Sequence, residues 1–168
     1  MNRAYIDLVS SKREYRGIET EGEDLLRCFG KKDLKLYLSL FDGEDIPFSE
    51  SNLLALMRLN ADIKDHDLSV FADDRVVFPE SVNAEFLGYD ISGDSMHLSP
   101  LYTAFFGNDG GQYFQDLRSK LSCGVNEYGL FDSIESAVEL IELVNNAKDD
   151  NIFETDGQLK PVYIYKVC

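Results

Sequence analysis

The stretch from Phe86 to Pro100, FLGYDISGDSMHLSP, gathers several residue types capable of chemistry, namely aspartate, hydroxyl residues and one of the 2 histidines. It contains Asp90, Asp94 and His97. A histidine near carboxylates can act as a general base or contribute to a metal site. One hypothesis for this chain is therefore a small hydrolase or transferase that uses His97 with Asp90 and Asp94.

The spacing within this stretch favours a turn over a catalytic or metal site. A calcium loop needs an acid at every second position and a closing glutamate, whereas Asp90 and Asp94 stand four residues apart. Zinc sites usually draw on several histidines or cysteines, and the chain has 2 His and 3 well-separated Cys. The central Ser-Gly-Asp has the composition of a tight turn between strands, with Asp90 and Ser92 on a polar outer face. We therefore predict no catalytic residue, no metal and no cofactor.

Other motifs add no clear chemistry. The glycine-rich segment Gly107–Gly111 lacks the lysine of a phosphate-binding loop and predicts a surface loop. A nucleophilic pair would require Cys28 or Cys123 to meet His66 or His97 in the fold, which the sequence neither indicates nor forbids. We therefore expect that the protein is not an enzyme.

Composition sets the class of protein and of partner. A chain of 168 residues that is 44% hydrophobic suits one domain with a packed core, so we predict a single domain over residues 1–168. The net charge of -15 opposes direct binding to nucleic acid or to an anionic membrane, and it favours a basic partner. No C-x-x-C pair and no run near the ~20 apolar residues of a membrane span is present, which indicates a cytoplasmic protein.

Hydrophobic periodicity and capping residues predict four helices. Asp132 is expected to cap the last helix, with Glu135 three residues later, and its apolar positions should be largely buried. Ser49 is the expected cap of another helix. The predicted helices are Ala4–Arg16 (which could instead begin as a strand), Glu23–Phe29 with Gly30 after it, Ser49–Asn60 and Asp132–Asn146.

Alternating apolar residues predict the strands. The leucines at every second position from Leu34 onward are typical of a strand with one buried face, and Asp42–Asp45 should form the turn after it. The predicted strands are Leu34–Phe41, a hairpin of Leu68–Phe71 and Arg75–Phe78, Phe86–Ile91, and Val162–Val167. Because strands and helices interleave irregularly, we predict an α+β fold with helices packed on a mainly antiparallel sheet.

Acidic residues recur in the predicted turns and are expected to gather into one negative, partner-binding face. The predicted partner-binding residues are Asp42, Glu44, Asp45, Asp73, Asp74, Asp90, Asp94 and Tyr102. Such a face could also mimic nucleic acid and occupy a DNA-binding protein, which is a third hypothesis.

Residues 86–168 resemble the immunity proteins of bacterial polymorphic-toxin and contact-dependent growth inhibition systems. The resemblance lies in Leu87–Ile91 with its small-residue turn, a helix like Ser133–Asn145 and the aromatic strand Val162–Tyr165. Gly107–Gly111 has no counterpart in the family. The resemblance implies a cytoplasmic inhibitor that binds a cognate, basic toxin domain, such as a nuclease, and blocks its active site or substrate entry. It indicates neither the toxin nor the oligomeric state.

Overall fold

A computed structural model describes residues 3–10, 31–43, 45–60, 66–93, 111–146 and 158–168. These ranges form a five-stranded antiparallel sheet and four helices, so the predicted α+β class is confirmed. The elements in chain order are β1 (Ala4–Ser10), α1 (Lys31–Leu38), β2 (Ile46–Pro47), α2 (Glu50–Asn60), β3 (His66–Ala72), β4 (Ala84–Ser92), α3 (Gly111–Lys120), α4 (Ile134–Asn146) and β5 (Lys160–Val167). The strand order is β2-β1-β3-β5-β4.

The described residues fall into two compact units. The first holds those up to Phe86 together with Tyr163–Cys168, and the second holds those from Leu87 to Val162. The prediction of one domain over residues 1–168 stays a prediction. No helix of the described residues is long and apolar enough to cross a membrane.

The core of the first unit lies where α2 packs on the sheet. Ile6 is paired with Val70 and Leu8 with Leu68, so these side chains share one face of β1 and β3. All are buried, and the side chains of α2 that join the same cluster are Leu53, Leu56 and Leu59. Residues 4–10 are therefore a strand, which confirms the strand alternative for the start of Ala4–Arg16 and not the helix. Residues 11–30, which include the predicted helix Glu23–Phe29, lie outside the described residues.

The helix α2 begins as its sequence predicts. The Asn52 amide N–H donates to Ser49 Oγ at 3.1 Å, so Ser49 satisfies one of the amides that the first turn leaves unpaired. Leu53 and Leu56 are fully buried, and Met57 packs against the same core. Both the predicted cap and the predicted apolar face are confirmed.

The strand predicted for Leu34–Phe41 is wrong, because residues 31–38 form α1. The helix buries Tyr37 and leaves Leu36 and Leu38 exposed, so the alternating leucines do not share a buried face. Leucine and lysine are good helix formers, which favours the helix once Tyr37 has a core to enter. Burial, and then the Asp7 carboxylate, raise the pKa of Tyr37, which keeps its phenol neutral.

The chain after β3 does not return as a hairpin. Arg75–Phe78, predicted as its second strand, has no strand structure, because β5 and not this segment pairs with β3. The connection from Asp73 to Asn83 instead passes over β5, and the ring of Phe78 lies 5.2 Å from that of Tyr165. We call this connection the crossover segment.

The second unit is organised around β4 from Leu87 onward and the segment Asn126–Phe131. Tyr89 and Phe131 exchange two backbone hydrogen bonds, of 2.8 and 2.9 Å. The helix α4 begins after Ser133, whose Oγ accepts from the Ser136 amide at 3.2 Å. The predicted helix is confirmed, but its cap is Ser133 and not Asp132.

The buried face of α4 is narrower than its apolar sequence predicts. Ala137, Leu140 and Val144 are buried, whereas Val138 is 39% exposed. The reason is geometric, since one face of a helix covers about a third of its circumference and Val138 lies off that face. The C-terminal strand predicted at Val162–Val167 is confirmed as β5.

One buried polar group in the sheet gives a stability prediction. Ser69 is fully buried, and its Oγ has no hydrogen-bond partner among the described residues. A buried hydroxyl without a partner costs free energy, so Ser69→Ala is expected to raise the free energy of unfolding by about 1 kcal/mol. Urea denaturation followed by circular dichroism measures this change.

The matched control is Ser133→Ala, which removes a serine that does accept a hydrogen bond. The loss of this helix cap is expected to lower the free energy of unfolding by about 1 kcal/mol. The two Ser→Ala changes should therefore have opposite signs. A loss of stability in Ser69→Ala would show that its hydroxyl has a partner in solution.

Candidate protein-binding surface

The first acidic turn predicted from the sequence is present. The Asp42 amide donates to the Asp45 carbonyl at 2.8 Å, and Gly43 takes a φ of 79°, which favours glycine. Asp42 is exposed and Asp45 half-buried. Glu44 lies outside the described residues.

The second pair of predicted acidic residues divides into two roles. Asp73 is turned inward, with a side chain only 10% exposed, and its Oδ2 lies 3.5 Å from Nε of Arg3. Asp74 is exposed, and its Oδ1 accepts from the Arg75 amide at 2.7 Å. Asp73 therefore fixes the end of β3 against β1, while Asp74 faces solvent.

These two acidic turns are not brought together. Asp45 directly precedes Ile46, which pairs with Ile6, whereas Asp73 directly follows Ala72, which pairs with Ala4 at the start of β1. In the order β2-β1-β3, the strand β1 itself lies between the two turns. Neighbouring strands are about 4.8 Å apart, so the turns are separated by at least two strand spacings.

Asp90 does not lie on a polar outer face. Its side chain is 7% exposed and that of Ser92 is 6% exposed, and the Asp90 carboxylate accepts from the Ile91 amide at 2.7 Å. The predicted polar face is wrong because β4 is buried on both sides from Leu87 to Ser92. We therefore leave Asp90 out of the candidate surface.

Three further predicted residues, Asp94, His97 and Tyr102, lie outside the described part of the chain. The hydrolase or transferase hypothesis therefore stays a prediction. Within the described ranges, no group of three or more His, Cys, Asp or Glu is placed to hold a metal ion.

A surface that the sequence did not reveal lies on the crossover segment. Val76, Phe78 and Val82 turn inward and pack against the core of the first unit. The residues between them point outward, and Val77 is 89% exposed, the largest value among the exposed large hydrophobic side chains of the described residues. Removing apolar surface from water is favourable, so we treat this exposed aliphatic side chain as a candidate contact for another molecule.

A row of aromatic rings in contact with one another joins the crossover segment to β5 and β4. Ring centroids are 5.6 Å apart for Phe48 and Phe78, 5.2 Å for Phe78 and Tyr165, and 5.3 Å for Tyr165 and Phe86. The row thus runs from Phe48 through the crossover segment and β5 to Phe86 on β4, which is 41% exposed. Aromatic contacts of this kind hold the surface residues in fixed positions.

Exposed carboxylates flank these apolar groups along the chain. Asp74 and Glu80 are exposed on the crossover segment, and Glu85 is exposed next to Phe86. Arg75 is the one exposed base between Asp73 and Phe86. Because successive side chains of a strand point to opposite faces, Glu85 does not share a face with Phe86. We call the set Asp74, Val77, Glu80 and Phe86 the crossover patch. Protein-binding surfaces commonly combine apolar side chains with charged ones.

Of the predicted partner-binding residues, only Asp74 belongs to this patch. Sequence reasoning missed the others, because the strand predicted for Arg75–Phe78 implies that Val77 lies in a sheet. The acid-rich composition of residues 73–85 was the one available signal. Comparisons of this chain with protein-family models, with curated proteins and with solved structures find no match.

Proposed function

We propose that this chain is an immunity protein, which binds a basic toxin domain in the bacterial cytoplasm and neutralises it without chemistry. The observation that supports the proposal most directly is the crossover patch, where Val77, which is 89% exposed, lies along the chain between the exposed carboxylates of Asp74 and Glu80. The resemblance of residues 86–168 to immunity proteins gives the proposal its choice of partner.

The two parts of the patch would act differently in binding. The apolar residues Val77 and Phe86 lose contact with water when covered, which supplies affinity. The carboxylates of Asp74 and Glu80 attract a basic surface, which raises the association rate and rejects acidic proteins. An interface of ordinary size buries roughly 1,600 Å² in total, so the patch would be its centre and not its whole extent.

The charge of the whole chain suits a nuclease as the toxin. A protein surface that binds a phosphate backbone carries lysine and arginine, and a chain with a net charge of -15 is attracted to it. Carboxylates placed on that surface would compete with the phosphates. Inhibition then needs only occupancy of the substrate path.

The test is co-expression with the toxin domain encoded beside this chain in its own genome. We expect the chain to restore growth to a bacterial host that produces the toxin, and to form a stable complex with it in size-exclusion chromatography. Val77→Lys should weaken the complex, because it places a cation at the centre of a surface that binds a basic protein.

Leu38→Lys is the matched control. Leu38 is also an exposed aliphatic side chain, at 55%, but it lies on α1 outside the patch. It should leave growth rescue unchanged. A neighbouring toxin that kills the host in the presence of the chain would contradict the proposal. A complex with a DNA-binding protein instead would favour the nucleic-acid mimic.

A further inference from the structure

We propose that Asp7 protects the edge of β1 beyond β2 from pairing with a strand of a second copy of the chain. Its carboxylate does so by occupying the backbone N–H of Leu8, which is the donor that an added strand would use. Asp90 holds the same relation to Ile91 in β4. The inference is independent of the immunity role, because it concerns the sheet edge and not the crossover patch.

On one side, β1 is paired over only part of its length. The strand β2 has two residues, and its pairing with β1 ends where Ile46 meets Ile6. Among the described residues, no strand continues this pairing toward Ser10. The backbone groups of β1 that point to this side beyond Ile6 are therefore not used by the described sheet, and such groups are the ones that an added strand binds.

The N–H of Leu8 is one of these groups. The Phe48 amide donates to the Ala4 carbonyl at 2.8 Å, so the backbone groups of Ala4 point to the side of β1 on which β2 lies. Because hydrogen-bonding direction alternates along an antiparallel strand, Leu8 points to the same side as Ala4, and away from β3. Its N–H therefore lies past the end of β2, at the edge of the sheet.

Asp7 occupies this donor with its own side chain. Asp7 Oδ1 accepts from the Leu8 N–H at 2.8 Å. A hydrogen bond to a carboxylate is stronger than one to a neutral carbonyl, so an added strand would have to displace the better acceptor. Aspartate is depleted in strands, and protection of the edge gives a physical reason for its place inside β1.

The same contact occurs in β4, the last strand in the sheet order. Tyr89 exchanges two backbone hydrogen bonds with Phe131, so its backbone groups point away from β5. Ile91 points to the same side as Tyr89, and Asp90 Oδ1 accepts from the Ile91 N–H at 2.7 Å. At each edge, then, an aspartate inside the strand takes up the outward N–H of the next residue.

Substitution of Asp7 tests the protection. Asp7→Ala removes the acceptor and frees the Leu8 N–H, so we expect its self-association constant to be at least about ten-fold higher than that of the unaltered chain. Sedimentation equilibrium measures this constant. The measurement is made in about 1 M salt, because screening reduces the repulsion between copies that each carry a net charge of -15. Asp7→Asn keeps an oxygen that can accept, so it should associate less than Asp7→Ala.

Asp74→Ala is the matched control. Asp74 makes the same contact, with the Arg75 amide at 2.7 Å, but it lies in the crossover segment and not in a strand. The change should leave the association constant as it is in the unaltered chain, because it frees no strand edge. Should Asp7→Ala fail to fold, Asp7→Val takes its place with Asp74→Val as its control, since valine favours a strand.

Amide NMR signals recorded at rising protein concentration locate the new contact. In Asp7→Ala the Leu8 amide should show the largest concentration-dependent shift, because the added strand binds there. An association constant equal to that of the unaltered chain, or association through residues other than those of β1, would overturn the inference. Equal association of Asp7→Asn and Asp7→Ala would also overturn it, since lost charge and not a freed N–H would then be the cause.

Discussion

Gly88→Ala is expected to lower the free energy of unfolding by about 3 kcal/mol or more, a large part of the stability of a small protein. Two costs combine at this position. The backbone of Gly88 has a φ of 142°, which side chains other than glycine rarely adopt. A Cβ atom would also lie 2.7 Å from the Phe131 carbonyl oxygen and 2.9 Å from Cβ of Leu130.

The clash cannot be relieved by a small movement. The Phe131 carbonyl accepts the Tyr89 amide at 2.8 Å, and both Leu130 and Phe131 are fully buried. Moving that carbonyl away from position 88 would therefore break the hydrogen bond that joins the segment to β4. Denaturant unfolding followed by circular dichroism measures the loss, and a mutant without a cooperative transition would be the extreme form of the same result.

Two other glycines separate the contributions. Gly43 has a φ of 79° but nothing within 4 Å of a built Cβ, so Gly43→Ala should show only the backbone cost of about 1 kcal/mol. Gly124 has an open Cβ position and no positive φ, and Gly124→Ala should be near neutral. If Gly88→Ala were no more damaging than Gly43→Ala, the close approach of the two backbones would be contradicted.

Asn126→Ala is expected to lower the free energy of unfolding by about 2 to 3 kcal/mol, because one side chain joins three parts of the second unit. Its Nδ2 donates to the Leu87 carbonyl at 2.8 Å and to Oδ1 of Asp132 at 2.9 Å. Its Oδ1 accepts from the amides of Tyr128 and Leu130, at 3.0 and 3.1 Å. Alanine would leave these backbone groups without their partner.

The substitution Asn126→Asp tests which half of the amide matters. It keeps the acceptors for Tyr128 and Leu130 but loses both donors and places a second carboxylate against Asp132. We expect it to be as damaging as alanine at neutral pH. Adding Asp132→Asn should recover about 1 kcal/mol, because the repulsion is removed and a donor is restored. No recovery in the double variant would contradict the Asn126–Asp132 contact.

The hydrogen bonds of Asn126 also explain how the edge of β4 is covered. β4 is the last strand in the order β2-β1-β3-β5-β4, and an edge strand offers unpaired backbone groups to other chains. The segment Asn126–Phe131 takes up the Leu87 carbonyl and the amide and carbonyl of Tyr89. At the opposite edge, β2 is two residues long and contains Pro47, which limits pairing in another way.

The sequence by itself determined those features that depend on neighbouring residues. Ser49 caps α2 because its hydroxyl reaches an amide three residues away, and the β-branched and aromatic run at the C-terminus forms β5. The turn at Asp42–Asp45 follows from Gly43, which tolerates a positive φ. The α+β class followed from the same local patterns.

Only the tertiary structure decided which faces are buried, and with them the candidate surface. Residues 34–38 became a helix because Tyr37 enters a core formed by β1 and β3, and Asp90 became buried because β4 is covered on both sides. Val77 became exposed because β5 takes the place beside β3 that a hairpin would have filled. Local periodicity records where apolar residues lie along the chain, but burial depends on which distant strand packs beside them.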